Sequence, residues 1–314
     1  MLRYALKRLF QSLVTLFIVV SFVFLLMRLL PIEGYFGDRF QKMSKEAIQA
    51  GLQKMGLLDP WYLQLGHFYS DLLRGDLGVS NIYRRDVPIA KILAPRIPYS
   101  VGFGLVAVVV AMSVGLSMGV SMAKHKDRIQ DRLGTFYIVF AHAVPLAVYL
   151  LFVQLYGTSL FRLPLLFDKY QPLSWILPAI SMSLNGIAFY AMWMRRYMVD
   201  EFNKDYVKLA RAKGLSSGAI MVRHIMRNAY VPMAQYLPAA ILTTIGGSIY
   251  IESLYSIPGM GGLLVDVIQR QDNTMVQALV LIFSSIGIAG LFLGDLLMAL
   301  FDPRIRLAKG EGAR

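Results

Sequence analysis

Six apolar runs, each about 20 residues long, constrain this chain more than any other feature of its sequence. A helix rises 1.5 Å per residue, so ~20 apolar residues cross the ~30 Å hydrocarbon core of a bilayer. Composition agrees, since 56% of the 314 residues are hydrophobic and only 16% are charged. The sequence therefore predicts an all-α polytopic membrane protein with six transmembrane helices. The runs cover residues 9–27, 100–123, 133–156, 175–194, 232–251 and 276–300.

The first run follows Arg3, Lys7 and Arg8, as the apolar region of a secretory signal would. Its uncharged stretch is longer than the 7 to 15 residues of a signal, and no small-residue cleavage site follows it. We therefore expect a retained helix.

The distribution of Lys and Arg predicts the orientation, because basic residues accumulate in short cytoplasmic loops. They are dense at the amino terminus, in 124–132, in 195–231 and after residue 300, and sparse in 157–174 and 252–275. We expect both termini on the cytoplasmic side. The predicted parts are 1–30 (tail and helix 1), 31–99 (external helical segment), 100–300 (helices 2–6, with the cytoplasmic loop 195–231) and 301–314 (cytoplasmic tail).

The net charge of +13 is explained by these inner loops and by attraction to anionic lipid headgroups. We therefore expect membrane lipid and no nucleic acid as a partner. The absence of cysteine excludes disulfides, thiol catalysis and thiolate metal sites.

The external segment carries helix signals of its own. Ser44 is placed to cap a first helix that ends at Gly56. Asp59 is expected to cap a second helix, with Pro60 at its first helical position. Trp61, Leu65, Phe68 and Leu72 form one apolar stripe on it. The segment is either a cap over the external ends of the spans or a docking platform for an extracellular partner.

Few polar residues lie inside the spans. His142, near Pro145, serves either helix packing or substrate contact, and Asn185, beside Gly186, serves either close packing or a pore. Asp295 is the one acidic residue well inside a predicted span, which argues against a proton-driven carrier.

Residues 204–231 have the pattern of a basic helix, a turn and a second helix. Lys208 and Arg211 share one face, while Val207, Ala210 and Gly214 share another. Such a hairpin either lies on the lipid headgroups or inserts its small-residue face into a cleft of another protein.

Here the motifs become specific. "DYVKLARAKGL" and "RHIMRNAYVP" resemble the cytoplasmic coupling loop of ATP-binding-cassette importer permeases of the dipeptide and oligopeptide (nickel) branch, the first of their two permeases. The likeness extends over nearly the whole chain through "MLRYALKRL", "GDLGVS", "ESLYSIPGMGGLL" and "GDLLMALFDPRIR". Two departures are Ile32-Glu33-Gly34 in place of Gly-Asp-Pro, and Lys208-Leu209-Ala210 in place of Glu-Ala-Ala.

The resemblance implies a type I importer permease fold and half of a pore for peptides, with no catalysis by this chain. It also implies a bacterial or archaeal plasma (inner) membrane, with 100–300 as the permease core. It implies as partners a second permease in a heterodimer, two ATP-binding subunits that hold ATP and Mg, and an external solute-binding protein. No cofactor or metal is expected on this chain. The implied ATPase-coupling residues are Lys208, Ala210, Arg211, Ala212, Gly214, Leu215 and Ser216. The element with Glu252, Pro258, Gly259 and Gly261 is either a structural corner or an external gate.

Separate ATPases are also required by the residues, because the chain has no Gly-Lys pair and hence no phosphate-binding loop. Two alternatives from other classes are a self-contained secondary carrier or channel, and a membrane-embedded enzyme, for which the sequence has no recognisable catalytic cluster. Nickel, glutathione or oligosaccharide remain alternative substrates.

Overall fold

A computed structural model describes residues 2–29 and 31–301, so that nearly all of the predicted 301–314 tail lies outside the described residues. The described part is predominantly helical, with one short antiparallel pair formed by β1 (Val79–Ser80) and β2 (Val87–Pro88). The helices are α1 Leu2–Arg28, α2 Lys45–Lys54, α3 Trp61–Leu73, α4 Ile89–Leu93, α5 Ile97–Lys124, α6 Ile129–Ala143, α7 Leu146–Phe161, α8 Ile176–Phe202, α9 Asp205–Ala212, α10 Ser217–Ile220, α11 Arg227–Ala234, α12 Tyr236–Thr243, α13 Ile249–Leu254, α14 Met260–Gln269 and α15 Asn273–Phe301.

Five helices of the described residues are long and apolar enough to cross a bilayer. They are Ala5–Arg28, Ile97–Lys124, Pro172–Phe202, Tyr236–Leu254 and Asn273–Leu297. A sixth crossing is formed only if α6 and α7 are counted together, because they meet at an angle of 112°. Six crossings are therefore confirmed in this sense, and the run predicted over 133–156 is divided between two helices.

The break between α6 and α7 has a local cause. Pro145 has no N–H to donate, and the residue before a proline is disfavoured in the helical region. Val144 accordingly adopts an extended backbone, with ψ 131°, and α7 restarts after Pro145.

The centre of the bundle is the pair α5 and α8. Two glycines of α5 allow the approach: a Cβ atom on Gly115 would lie 2.7 Å from the Ile187 carbonyl oxygen, and one on Gly119 would lie 2.6 Å from that of Ala191. Small residues four apart let two helix backbones approach closely in a membrane.

The bundle has two ends. We call the end that holds 31–96 the segment end, and the end that holds 203–226 the loop end. At the loop end α10 continues through a π-helical stretch, Met221–Met226, into α11.

The two longer helices of the external segment, α2 and α3, begin at residues close to the predicted caps. The Ser44 hydroxyl accepts the Ala47 N–H (3.2 Å), as predicted, and Gly56 follows α2 with φ +66°. The prediction for α3 is off by one residue, since Pro60 is the cap position and Trp61 the first helical residue. The polar contact at this end comes from Gln64, whose amide donates to the Asp59 carbonyl (2.6 Å).

Candidate functional site

The clearest candidate site is the exposed hairpin at residues 203–219, which we call the basic loop. α9 ends at Ala212, and the chain reverses through Gly214, whose φ of +75° is a conformation that favours glycine. The Ser216 hydroxyl then accepts the Ala219 N–H (3.3 Å) and so caps α10. The helix, turn and helix predicted from the sequence are therefore present.

One face of the basic loop is buried in this chain. Val207 and Ala210 join a core with Met198 of α8 and with Ile220 and Ile225. Ala210 is only 5% exposed. The spacing correctly placed Val207 and Ala210 on one face, but that face packs inward, so Ala210 is not part of the surface that the loop presents to a partner.

The surface of the loop is formed by its other predicted residues. Every residue from 211 to 218 is exposed, and so is Lys208. Two large apolar side chains are also exposed, Leu209 in α9 and Leu215 after the turn. The surface is therefore basic with two exposed leucines, and it contains the predicted residues Lys208, Arg211, Ala212, Gly214, Leu215 and Ser216.

Lys208 is already engaged within the loop. Its ammonium group contacts the Asp205 carboxylate at 2.9 Å. The hydrogen bond from Lys208 lowers the pKa of Asp205 below its ordinary value. Both side chains are largely exposed, so this ion pair orients Lys208 and adds little stability.

The basic loop is fixed to the membrane helices by polar contacts. The Tyr206 hydroxyl donates to the Glu201 carboxylate at the end of α8, and the Asn228 amide of α11 donates to Tyr206 (3.0 Å). Nearby, the Arg195 guanidinium of α8 binds the Asp131 carboxylate of α6 through Nε and Nη2, at 2.5 and 2.7 Å. The loop and the end of α8 thus form one connected unit.

An ion pair at the loop end joins α1 to α15. Arg8 of α1 lies 3.2 Å from the Asp295 carboxylate of α15. The Gln235 amide donates to the same carboxylate (3.3 Å). Asp295 therefore pairs with a cation at the end of the bundle, which gives its charge a structural role.

Glu252 is buried at the segment end, 1% exposed, in α13 and close to the turn into α14. Its Oε2 accepts the N–H groups of Gly261 (2.7 Å) and Gly262 (3.0 Å). Its Oε1 accepts the Ser100 hydroxyl of α5 (2.7 Å) and the Ser248 N–H (3.3 Å). The carboxylate thereby joins three helices, which is the geometry of a structural corner.

The predicted glycines surround this carboxylate. A Cβ atom on Gly259 would overlap the Glu252 carboxylate, and one on Gly261 would lie 2.7 Å from the Ile249 nitrogen. Pro258, between Ile257 and Gly259, is exposed. These residues form one cluster with Glu252.

His142 and Asn185 lie elsewhere in the bundle. The His142 Nδ1 lies 2.7 Å from the Ile138 carbonyl oxygen in its own helix, near the break in α6 and α7. Asn185 is exposed on α8, and the adjacent Gly186 lies so close to Ala111 of α5 that a Cβ would be 2.7 Å from its side chain. The structure therefore does not bring His142 or Asn185 together with the Glu252 cluster.

Asp272 is a site residue that sequence reasoning missed. It is fully buried before α15, where its carboxylate accepts the Met275 N–H (3.2 Å). The same group accepts the Ser80 hydroxyl (2.6 Å) and the N–H groups of Ile82 (3.0 Å) and Tyr83 (2.9 Å). Asp272 so fastens the external segment to α15. An Asp immediately before an apolar run is the signal, since Asp favours the N-cap position.

Over the described ranges 2–29 and 31–301, no group of three or more His, Asp or Glu side chains is placed to hold a metal ion.

Comparisons with known proteins agree with this architecture. The family profile described as "Binding-protein-dependent transport system inner membrane component" matches residues 115–307. The chain is similar to the oligopeptide transport system permease protein AmiC of Streptococcus pneumoniae, with 39% identity over 215 residues that cover 67% of this chain and 42% of AmiC. The match therefore spans less than half of AmiC.

A second relative is similar over its full length. The glutathione transport system permease protein GsiC of Escherichia coli O6:H1 is 33% identical over 308 residues, which cover 98% of this chain and 99% of GsiC. Among solved structures, an amino acid ABC transporter crystallised with histidines has a TM-score of 0.50 and 17% identity, over 69% of this chain and 93% of that one. At this identity the structural likeness supports the fold alone.

Proposed function

Because the chain belongs to the family of binding-protein-dependent transport system inner membrane components, we propose that it forms half of the pore of an ATP-driven peptide importer. The chain is an integral membrane permease subunit of an ABC importer, and ATP hydrolysis belongs to separate subunits. The substrate is a di- or oligopeptide; nickel, glutathione or an oligosaccharide is the alternative.

The basic loop is the observation that carries this proposal. It is exposed from 211 to 218, yet Val207 and Ala210 fix it to the bundle. An ATPase that binds the exposed turn and moves would therefore move the end of α8 together with the basic loop. We place this loop on the cytoplasmic side, where Lys and Arg accumulate, and both termini with it.

The partners follow from this arrangement. Two ATP-binding subunits hold ATP and Mg and contact the basic loops of this chain and of a second permease, most simply in a heterodimer. An external solute-binding protein delivers the peptide at the segment end. Asn185, whose amide is exposed on a membrane helix, lines the pore in this proposal, because polar side chains in a membrane face protein or water.

His142 and the Glu252 cluster have different places in the proposed pathway. His142 contacts its own helix near a bend and is assigned to the pore wall. The corner formed by Glu252, Gly259 and Gly261, with Pro258 at its surface, holds the external mouth in shape.

The test is Gly214→Leu in the complete complex, reconstituted with its ATPases, second permease and binding protein. Gly214 has φ +75° and open space around it, so a leucine strains the turn by about 1–2 kcal/mol and projects from the proposed contact surface. We expect insertion to be normal and ATP-dependent uptake to fall by about tenfold, equivalent to about 1.4 kcal/mol of coupling free energy.

Gly75→Leu is the matched control. Gly75 also has φ +75° and open space around it, but it lies in the external segment after α3. It carries the same backbone strain without the contact. Equal uptake in the two variants would contradict the assignment of the basic loop, and solute movement by the purified chain alone under an ion gradient would contradict the importer.

A further inference from the structure

Helix α3 packs two aromatic side chains against the side of α1. The Phe68 ring packs on Phe24 with centroids 4.8 Å apart, and the Tyr69 ring stacks on Phe17 at 5.2 Å. The Tyr69 hydroxyl donates to the Phe17 carbonyl (3.1 Å) and lies 2.8 Å from the Ser21 hydroxyl. These contacts of α3 therefore lie on the side of the first span.

These contacts reach well below the end of the span. The apolar helix ends at Arg28, so Phe24 lies about 6 Å and Phe17 about 16 Å further along its axis. Half of the hydrocarbon core is about 15 Å thick. α3 is therefore at the depth of the leaflet at the segment end, and its Tyr69 hydroxyl is satisfied within protein, as lipid surroundings require.

The titratable residues of α3 line one cavity. His67 and Asp71 border this cavity of about 190 Å³ together with Arg28 and Gln277. The cavity lies between α3, α1 and the first turns of α15. Both side chains are exposed, and both lie on the face of α3 at this cavity.

The outward face of α3 carries no charge. Tyr62, Gly66 and Leu73 share this face by helical spacing, with Leu63 at its edge. Leu73 is 88% exposed and Tyr62 58%. Helix α2, in the same segment, is different, since Lys45, Glu46 and Lys54 are exposed on it as expected for a helix in water.

We propose that α3 is embedded in the leaflet at the segment end, with Tyr62, Leu63, Gly66 and Leu73 in contact with phospholipid acyl chains. On α1 the apolar side chain of Phe22 is likewise exposed, in the same leaflet. Trp61 begins the helix, and Trp favours the headgroup level. The external segment is thus anchored in lipid by α3, while α2 stands in water.

Nitroxide labels test the proposal, because the chain has no cysteine and single-cysteine variants need no other change. Leu63→Cys and Leu73→Cys report on the outward face of α3. Phe22→Cys, on the exposed face of α1, is the lipid control, and Gln53→Cys, exposed on α2, is the water control. The full chain is reconstituted in phosphatidylcholine vesicles, and collisions with oxygen and with a water-soluble nickel chelate are measured.

We expect collisions with oxygen to dominate at positions 63 and 73, as at position 22. At position 53 we expect collisions with the chelate to dominate instead. Dominant chelate collisions at 63 and 73 would overturn the proposal, since the face would then lie in water. Low collisions with both reagents would also overturn it, since a second copy of the chain would then cover the face.

Discussion

At the scale of single residues, Glu252 shows how one carboxylate shapes a turn. Both of its oxygens act only as acceptors, toward a hydroxyl and three N–H groups. In Glu252→Gln the amide nitrogen must face donors in either orientation. Because a buried donor is then left unpaired, we expect the free energy of unfolding to fall by about 1–3 kcal/mol.

Thermal unfolding of the purified chain measures this effect. Glu33→Gln is the control, because Glu33 is an exposed carboxylate in the same external region. An unchanged melting temperature in Glu252→Gln would contradict the interpretation of this element as a structural corner. The external gate would then be the remaining interpretation.

At the scale of elements, the contact between α5 and α8 depends on Gly119. A Cβ atom there would lie 2.6 Å from the Ala191 carbonyl oxygen and 2.7 Å from the Met194 Cβ. We expect Gly119→Leu to destabilise the chain by about 1–3 kcal/mol, as overpacking does. Gly102→Leu, on the same helix with nothing within 4 Å of its added Cβ, is the matched control in the same melting experiment. Equal melting temperatures for both variants would show that the two helices separate at no cost.

At the scale of the whole molecule, an even number of crossings places both termini on one side, and the charge distribution predicts that this side is the cytoplasm. Ser217→Cys in the basic loop and Gln53→Cys in α2 are both exposed, on opposite ends of the bundle. We expect an impermeant maleimide added to intact cells to label position 53, and to label position 217 only after permeabilisation. The reverse labelling pattern would show that the protein has the opposite orientation in the membrane.

The sequence predicted the crossings better than the contacts between them. Apolar length is a local property, and so is the lack of an N–H on Pro145, which favours a break in the helix there. The angle of 112° depends on what α6 and α7 pack against, and no local pattern contains it. The same holds for the polar anchors: Glu252 meets Ser100 across 152 residues and Asp272 meets Ser80 across 192. Spacing likewise put Ala210 on an apolar face, but only tertiary packing decides that the face is turned inward.

The docking of the basic loop onto α8 makes that helix a lever arm. α8 has 27 residues and is therefore about 40 Å long. With the loop fixed to one end, a tilt of about 5° displaces the other end by about 3.5 Å over that length. α5 packs closely against α8, so in the proposed mechanism a small tilt imposed at the basic loop displaces the opposite end of α8 by about the width of an atom.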